Sequence, residues 1–222
     1  MKTRPANFDV VARPYRLLEY ATLGRLLERT RFNFLSHLSD ARRALVIGDG
    51  DGRFVARLLE TNAGVTATAV DTSREMLRLL AKRCAGLEDR LQMVQQDALS
   101  FAEDNREQYD LIATHFFLDC LGQDEVDELV RRMTPTLSHD ALWVVSDFRI
   151  PRGALRLPAR LLVRGLYFAF RCLTGLRPTR IPNYGRALAD GGFMQLDRRF
   201  FMGGMLTAEL WQRSSETTRA SD

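Results

Sequence analysis

Three glycines stand on alternate positions, Gly48, Gly50 and Gly52, directly after the apolar run Ala44-Leu-Val-Ile47. That is the pattern of a buried strand that ends in a tight turn and opens a helix. Glycine suits such a turn because a Cβ penalises its φ values, and because its absence lets a ligand touch main-chain atoms at the helix N-terminus. Nineteen residues beyond Gly52, the run Val65-Thr-Ala-Thr-Ala-Val70 ends in Asp71. An α/β nucleotide fold places there the carboxylate that accepts from two ribose hydroxyls. A nucleotide-like cofactor over the glycine loop is the expected chemistry. Asp71 has a plainer reading as well, capping the next helix together with Thr72.

The elements that must position these residues alternate between strand and helix. Phe8 to Leu38 reads as two helices, with Leu17, Leu18, Ala21, Leu23, Leu26 and Leu27 at helical spacing. Strand 43–47 then leads into helix 52–60, and strand 65–70 into helix 73–84, whose start carries Thr72-x-x-Glu75, a capping box. Strand 91–95, a helical or irregular stretch over 100–107, strand 109–114 and helix 124–136 follow. The last has Asp124, Glu125, Asp127 and Glu128 early and Arg131 and Arg132 late, matching the helix dipole, and Leu129, Val130 and Met133 are expected to face the sheet. Strand 141–147 is apolar enough to be covered on both faces. Met194–Phe201 and Met205–Trp211 flank Met202-Gly-Gly, a hairpin signal. The expected fold is α/β, a Rossmann-like seven-stranded, mostly parallel sheet with an antiparallel C-terminal hairpin. Residues 1–222 read as a single domain: a helical N-terminal cap over 1–40, a cofactor-binding core over 41–147, a basic amphipathic helical insert over 148–186 that follows the fifth strand as a lid, the hairpin region over 187–213, and a disordered tail over 214–222.

With its motifs in this order, the chain resembles class I S-adenosylmethionine-dependent methyltransferases from about Phe8 to Arg213. Gly48-Asp-Gly-Asp-Gly52 looks like the family's first motif, three glycines within five residues, where dinucleotide dehydrogenases prefer G-x-G-x-x-G. Asp71-Thr-Ser73-Arg-Glu-Met76-Leu77 is similar to the acidic second motif. Asp97-Ala98-Leu99 looks like the motif whose carboxylate accepts from the adenine amino group, and Tyr109-Asp110-Leu-Ile-Ala-Thr114 resembles the fourth-strand motif that ends beside the transferred methyl. The resemblance implies S-adenosylmethionine as cofactor, held by Gly48, Asp49, Gly50, Gly52, Asp71, Thr72, Met76, Asp97, Ala98 and Thr114. Val46 stands where the family usually has an acid, and Asp49 or Asp51 is the candidate to replace it at the amino-acid end of the cofactor. Phe8-Asp9-Val-Val-Ala12-Arg-Pro-Tyr15-Arg-Leu-Leu is similar to the N-terminal signature of the ubiquinone/menaquinone C-methyltransferase group and its small-molecule relatives, with Arg16 where that signature has Asp.

Thr114-His-Phe-Phe-Leu-Asp-Cys120 follows the fourth strand at the sheet edge where open α/β folds bind ligands. His115, Asp119 and Asp147 are the candidate acid–base groups, since an imidazole or a carboxylate there is able to take a proton from an acceptor. Their plainer roles are a histidine satisfied beneath a loop and acids that cap or orient. His115, Phe116, Tyr15 and Tyr167 are the candidate substrate contacts, and so aromatic a set suits a small, fairly apolar acceptor. Methyl transfer from a sulfonium is an in-line displacement that needs alignment and desolvation more than a strong base.

Between Phe148 and Arg186 there are nine arginines and no Asp or Glu, a local +9 against a whole-chain net charge of +4, so the remainder is 4 − 9 = −5. Arg156, Arg160 and Arg164 repeat at helical spacing among Leu157, Leu161, Leu162, Leu166, Phe168 and Phe170. Two readings stand for 149–186: a peripheral contact with an anionic membrane that admits a lipophilic substrate, or a lid over the active-site mouth with its arginines solvated. Nucleic acid is not expected as a partner, because no nucleic-acid module is recognisable.

Ordinary hydrophobic (45%) and charged (27%) contents point away from disordered and fibrous classes. No run of signal-peptide or membrane-spanning type stands out, so a cytoplasmic location, with or without membrane association, is expected. Cys84, Cys120 and Cys172 are far apart, and His37, His115 and His139 do not cluster with acids, so no metal is expected. The sequence sets no oligomeric state. Beside methyl transfer, two rivals remain at this stage: a catalytically silent cofactor-binding or membrane-associated regulatory protein, and an NAD-dependent oxidoreductase on the same fold.

Overall fold

All four apolar residues of β1 (Arg43–Ile47) are buried, because the sheet to which it belongs carries helices on both faces. Ala44 and Val46 point to one face, Leu45 and Ile47 to the other. The computed structural model describes residues 24–104, 108–151, 153–157, 159–161, 165 and 181–214. Around β1 lie β2 (Thr66–Asp71), β3 (Leu91–Gln95), β4 (Tyr109–His115), β5 (Leu137–Phe148), β6 (Phe193–Phe201) and β7 (Leu206–Arg213). They form one seven-stranded sheet in the order β3-β2-β1-β4-β5-β7-β6. β1 through β5 pair in parallel, while β7 runs antiparallel to both β5 and β6. Strand order reverses between β1 and β4, the switch point at whose strand carboxyl ends open α/β sheets bind ligands.

One face is covered by α4 (Ala98–Asp104), α5 (Gln123–Met133) and α6 (Tyr184–Asp190), packed on Leu45, Ile47, Ile112 and Trp143. As expected from the pattern, Leu129, Val130 and Met133 of α5 are buried on that face. The Trp143 indole satisfies its N–H on the Thr114 hydroxyl at 3.0 Å. The other face is covered by α1 (Gly24–Arg31), α2 (Arg53–Thr61) and α3 (Arg74–Arg83), with Phe54, Leu58 and Leu80 against Ala44, Val46, Leu111 and Val144. Ser146 of β5 donates its hydroxyl to the Thr30 carbonyl at 3.1 Å and so ties α1 to the sheet.

Several boundaries differ from the sequence reading for local reasons. α5 stops at Met133 and continues as a 3-10 turn over Thr134–Thr136, because Pro135 supplies no amide to an α-helical ladder. β5 starts at Leu137, four residues earlier than expected (141 − 137). α3 is capped by Ser73, whose hydroxyl accepts from the Met76 amide at 3.1 Å, and not by Thr72. Asp71 causes the shift: its Oδ1 accepts the Ser73 amide at 2.8 Å and turns the chain one residue before the helix begins. The β6–β7 turn uses left-handed residues at Met202, Gly203 and Gly204. Of the N-terminal cap, α1 and a 3-10 turn over Leu35–Leu38 are seen; its first 23 residues and Tyr15 lie outside the described residues. So do most of 162–180, with Tyr167, and the tail from 215; Ser214 is held through its amide on the Gly192 carbonyl at 2.8 Å.

Candidate functional site

The three loop glycines do different work. All have φ in the left-handed region, +66° at Gly48, +63° at Gly50 and +80° at Gly52. A Cβ on Gly52 would lie 2.9 Å from the Leu80 Cα, so this glycine lets α3 pack against the start of α2. A Cβ on Gly48 would lie 2.4 Å from Cδ2 of Phe117, whose ring rests on that glycine. At Gly50 a Cβ would meet no close neighbour among the described residues, only the Met76 sulfur at an ordinary contact distance of 3.8 Å. Among the described residues, the loop is therefore tightly packed at both ends and unobstructed at Gly50. Its position is fixed by Asp51, which is bound by Arg83 at 2.7 Å and by Arg53 at 3.2 Å.

At the same carboxyl edge of the sheet stand the residues read from the sequence. Asp71 is half-buried at the end of β2, one oxygen on the Ser73 amide. Thr72 accepts the Gln95 side-chain amide on its carbonyl at 3.3 Å, and Met76 is buried in the first turn of α3. Asp97, exposed after β3, caps α4: its Oδ1 accepts from the Leu99 and Ser100 amides at 3.0 and 3.3 Å, leaving Oδ2 open, while Ala98 is buried. Thr114 is fully buried with its hydroxyl engaged by Trp143.

Asp49 turns inward. Its Oδ2 accepts the Val55 amide at 3.0 Å, supplying the cap that Gly52 lacks, and its Oδ1 faces Arg31 at 3.9 Å. Burial pushes this carboxyl up to about 6, against the pull of the Arg31 guanidinium. Arg31, from α1, also lies 5.6 Å from the Phe116 ring centroid. His115 is 2% exposed and tilts against Phe54 with ring centroids 4.2 Å apart. Neither of its nitrogens has a hydrogen-bond partner among the described residues, and burial beside Arg31 holds it well below its ordinary value, so it is neutral near pH 7. Phe116 takes the left-handed region at φ 54°, held by its amide on the Ser146 carbonyl at 2.7 Å. It stands 5.5 Å from the Phe148 ring. Phe116, Phe117 and Phe148 are all partly exposed, an aromatic rim beyond β4 and β5.

Beneath that rim, two carboxyls meet. Asp147, next to last in β5, is fully buried, and its oxygens accept the Phe148 amide at 2.8 Å and the Asp119 amide at 3.1 Å. Asp119 and Asp147 are thus buried as close neighbours, each carboxyl within the field of the other. Burial pushes Asp119 up to about 6, and burial with the neighbouring Asp119 charge pushes Asp147 well above its ordinary value. Cys120 lies against Asp119 at 3.6 Å, and burial keeps its thiol protonated.

Sequence reasoning missed two features. Arg31 is one. The other is Glu209, buried in β7, which accepts from Tyr184 (3.3 Å), Thr207 (3.2 Å), Gln195 (2.7 Å) and Trp211 (3.0 Å) and pairs with Arg198 at 2.9 Å. A charged residue in the middle of Leu206-Thr-Ala-Glu-Leu-Trp211 was the available signal, because a buried acid must be paired.

Sheet order and loop geometry together define a Rossmann-like α/β protein with its glycine loop at the strand carboxyl ends. Residues 45–142 match the sequence pattern of a methyltransferase domain. Among solved structures, the fold is similar to that of the mitomycin 7-O-methyltransferase MmcR, at TM-score 0.68 and 18% identity over 94% of this chain and 61% of that one. It is also similar to an O-methyltransferase family protein from Burkholderia thailandensis, at TM-score 0.71 and 15% identity over 92% and 60%. A third is the N-methyltransferase NodS from Bradyrhizobium japonicum WM9, solved in complex with S-adenosyl-L-homocysteine, at TM-score 0.62 and 16% identity over 84% and 87%. The chain thus spans about three fifths of the length of the first two. The chain shares its fold with these three structures. No curated protein matches the chain by sequence.

Proposed function

We propose that the protein transfers a methyl group from S-adenosylmethionine to a small, apolar acceptor. The observation that carries this reading is the glycine loop, with Gly50 unobstructed among the described residues beside the Met76 sulfur, at the strand ends that also bear Asp71 and Asp97. Asp71 is suited to accept from ribose hydroxyls and the open oxygen of Asp97 from the adenine amino group, both groups being donors. The Gly48–Gly52 main chain would take the methionine portion, with Asp49, Thr72, Ala98 and Thr114 shaping the wall through backbone or packing. When bound, the cofactor supplies an electrophilic methyl group.

The remaining work falls to alignment and exclusion of water. Phe116, Phe117 and Phe148 offer aromatic faces beside the crevice, and a flat apolar acceptor is the molecule they favour. Quinone-type acceptors are the first to test, on the resemblance of 8–18 to the quinone C-methyltransferase signature. The neutral imidazole of His115 and the Asp119–Asp147 pair lie below the rim, where they are able to hold or relay a proton from a hydroxyl acceptor.

Thermal shift with S-adenosylhomocysteine beside NAD, followed by transfer of a labelled methyl group into quinone and lipid-extract acceptors, tests the proposal. Stabilisation by the first ligand alone, with label in an organic-soluble product, is the expected result. Stabilisation by NAD alone would favour an oxidoreductase, and binding without transfer a cofactor-dependent regulatory protein.

A further inference from the structure

We propose that the leucine–arginine face of the insert after β5 docks on an anionic lipid bilayer. The described part of the insert is helical at 156–157, 159–161 and 165. Leu157 and Leu161, one turn apart, are 66% and 61% exposed, while Ala159 between them is fully buried. Arg156 and Arg160 are exposed beside the leucines. The helix therefore turns its small residue inward and its leucines outward. A lid over the crevice requires the opposite, with leucines against the aromatic rim and arginines alone in water.

The patch extends beyond the helix. Leu155 is half-exposed and packs at the β6–β7 turn, where a Cβ on Gly203 would lie 2.6 Å from its Cδ1. Pro151 approaches Gly204 of the same turn, and Arg149 donates its amide to the Met205 carbonyl at 2.8 Å. At that end of the hairpin Phe200 is 50% exposed, with the Arg149 guanidinium 4.7 Å from its ring centroid and Arg198 at 5.9 Å. Exposed apolar side chains and guanidinium groups thus alternate over the insert and the hairpin end.

Charge and polarity together choose the occupant. With no acid between residues 148 and 186, the complementary surface is negative. Two leucines left in water at more than half exposure need an apolar medium, which a phosphodiester backbone does not offer and the interface of an anionic bilayer does. No described helix is long and apolar enough to cross a membrane. Because the insert leaves β5 directly after Phe148, docking would bring the aromatic rim near the bilayer, a route for an acceptor drawn from it. The docking itself does not depend on what the crevice binds.

Sedimentation with phosphatidylcholine vesicles, with and without phosphatidylglycerol, tests this on the full chain. Wild type should pellet with the mixed vesicles and stay in solution with the neutral ones. Arg156→Glu/Arg160→Glu should weaken binding to mixed vesicles by roughly thirtyfold or more, and added salt should do the same for wild type. Leu157→Glu/Leu161→Glu should weaken it at least about tenfold. Each variant should keep the far-ultraviolet spectrum and the S-adenosylhomocysteine thermal shift of wild type, which separates loss of docking from loss of fold or of cofactor. Wild type that ignores mixed vesicles, equal pelleting on neutral ones, leucine variants that bind as wild type does, or capture by duplex DNA or a polyglutamate peptide in place of vesicles would overturn the proposal while leaving the methyltransferase reading intact.

Discussion

Gly48→Ala probes the loop most sharply, because two separable costs meet at one methyl group. The backbone at Gly48 has φ +66°, and a Cβ there costs roughly 1–2 kcal/mol. The new carbon would also lie 2.4 Å from the Phe117 ring, an overlap relieved only by moving that ring, for a further 1–3 kcal/mol or so. The sum is roughly 2–5 kcal/mol, and at about 2–4 °C per kcal/mol for a chain of this size Tm should fall by on the order of 10 °C. Phe117→Ala separates the two terms. Alone it loses the packing of a partly exposed ring; combined with Gly48→Ala it removes the overlap and leaves the backbone cost. Thermal melts of wild type, both single variants and the double variant should give a favourable coupling of about 1–3 kcal/mol. Strict additivity, or a Gly48→Ala protein as stable as wild type, would refute the geometry assigned to the loop.

Asp97 offers a test of two roles in one carboxyl. Asp97→Ala should cost about 1 kcal/mol of stability through the lost cap on α4, while Asp97→Ser keeps the cap and yet weakens S-adenosylhomocysteine binding; unchanged affinity in the serine variant by calorimetry would leave only the capping role. Asp119 and Asp147 hold protons more tightly folded than unfolded, so the native state binds more protons and stability falls as pH rises from about 4 through about 6 and beyond. Asp119→Asn removes one of the two raised carboxyls and should shrink that loss by on the order of 3 kcal/mol, seen in urea melts across the acid range; an unaltered pH slope would contradict a raised Asp119 carboxyl. His115→Phe removes two buried nitrogens with no partner among the described residues and should raise the Tm of the ligand-free protein by about 2–6 °C, whereas a fall of that size would mean the imidazole is satisfied in solution.

The parts of the fold that the sequence disclosed are those where residue type follows from sterics or burial. Alternate glycines read correctly as a strand-to-helix turn because a side chain pays for their φ values, and the apolar runs of β1, β2, β4 and β5 read as strands, the last as one covered on both faces. Boundaries slipped where one side chain decided them: Asp71 took the Ser73 amide and moved the cap from Thr72, and Pro135 ended α5 early. Side-chain direction was not legible. Asp49 lies between two left-handed glycines, and nothing in its type says whether it points to a ligand or, as found, to the Val55 amide. Arg31 likewise reads as a solvated cation at the end of an amphipathic helix, yet it is buried against Asp49. Glu209 needed donors from α6, β6 and β7 that only the folded sheet brings together.

The central claim is that a sulfonium nucleoside lies over Gly50 with its ribose on Asp71. Isothermal titration of S-adenosylhomocysteine into wild type and Asp71→Ala tests it most directly. Saturable binding to wild type, weakened by about 1–3 kcal/mol or roughly 5–150-fold in the variant with its Tm nearly unchanged, is the predicted result. No heat with wild type, or equal affinity in the two proteins, would contradict it.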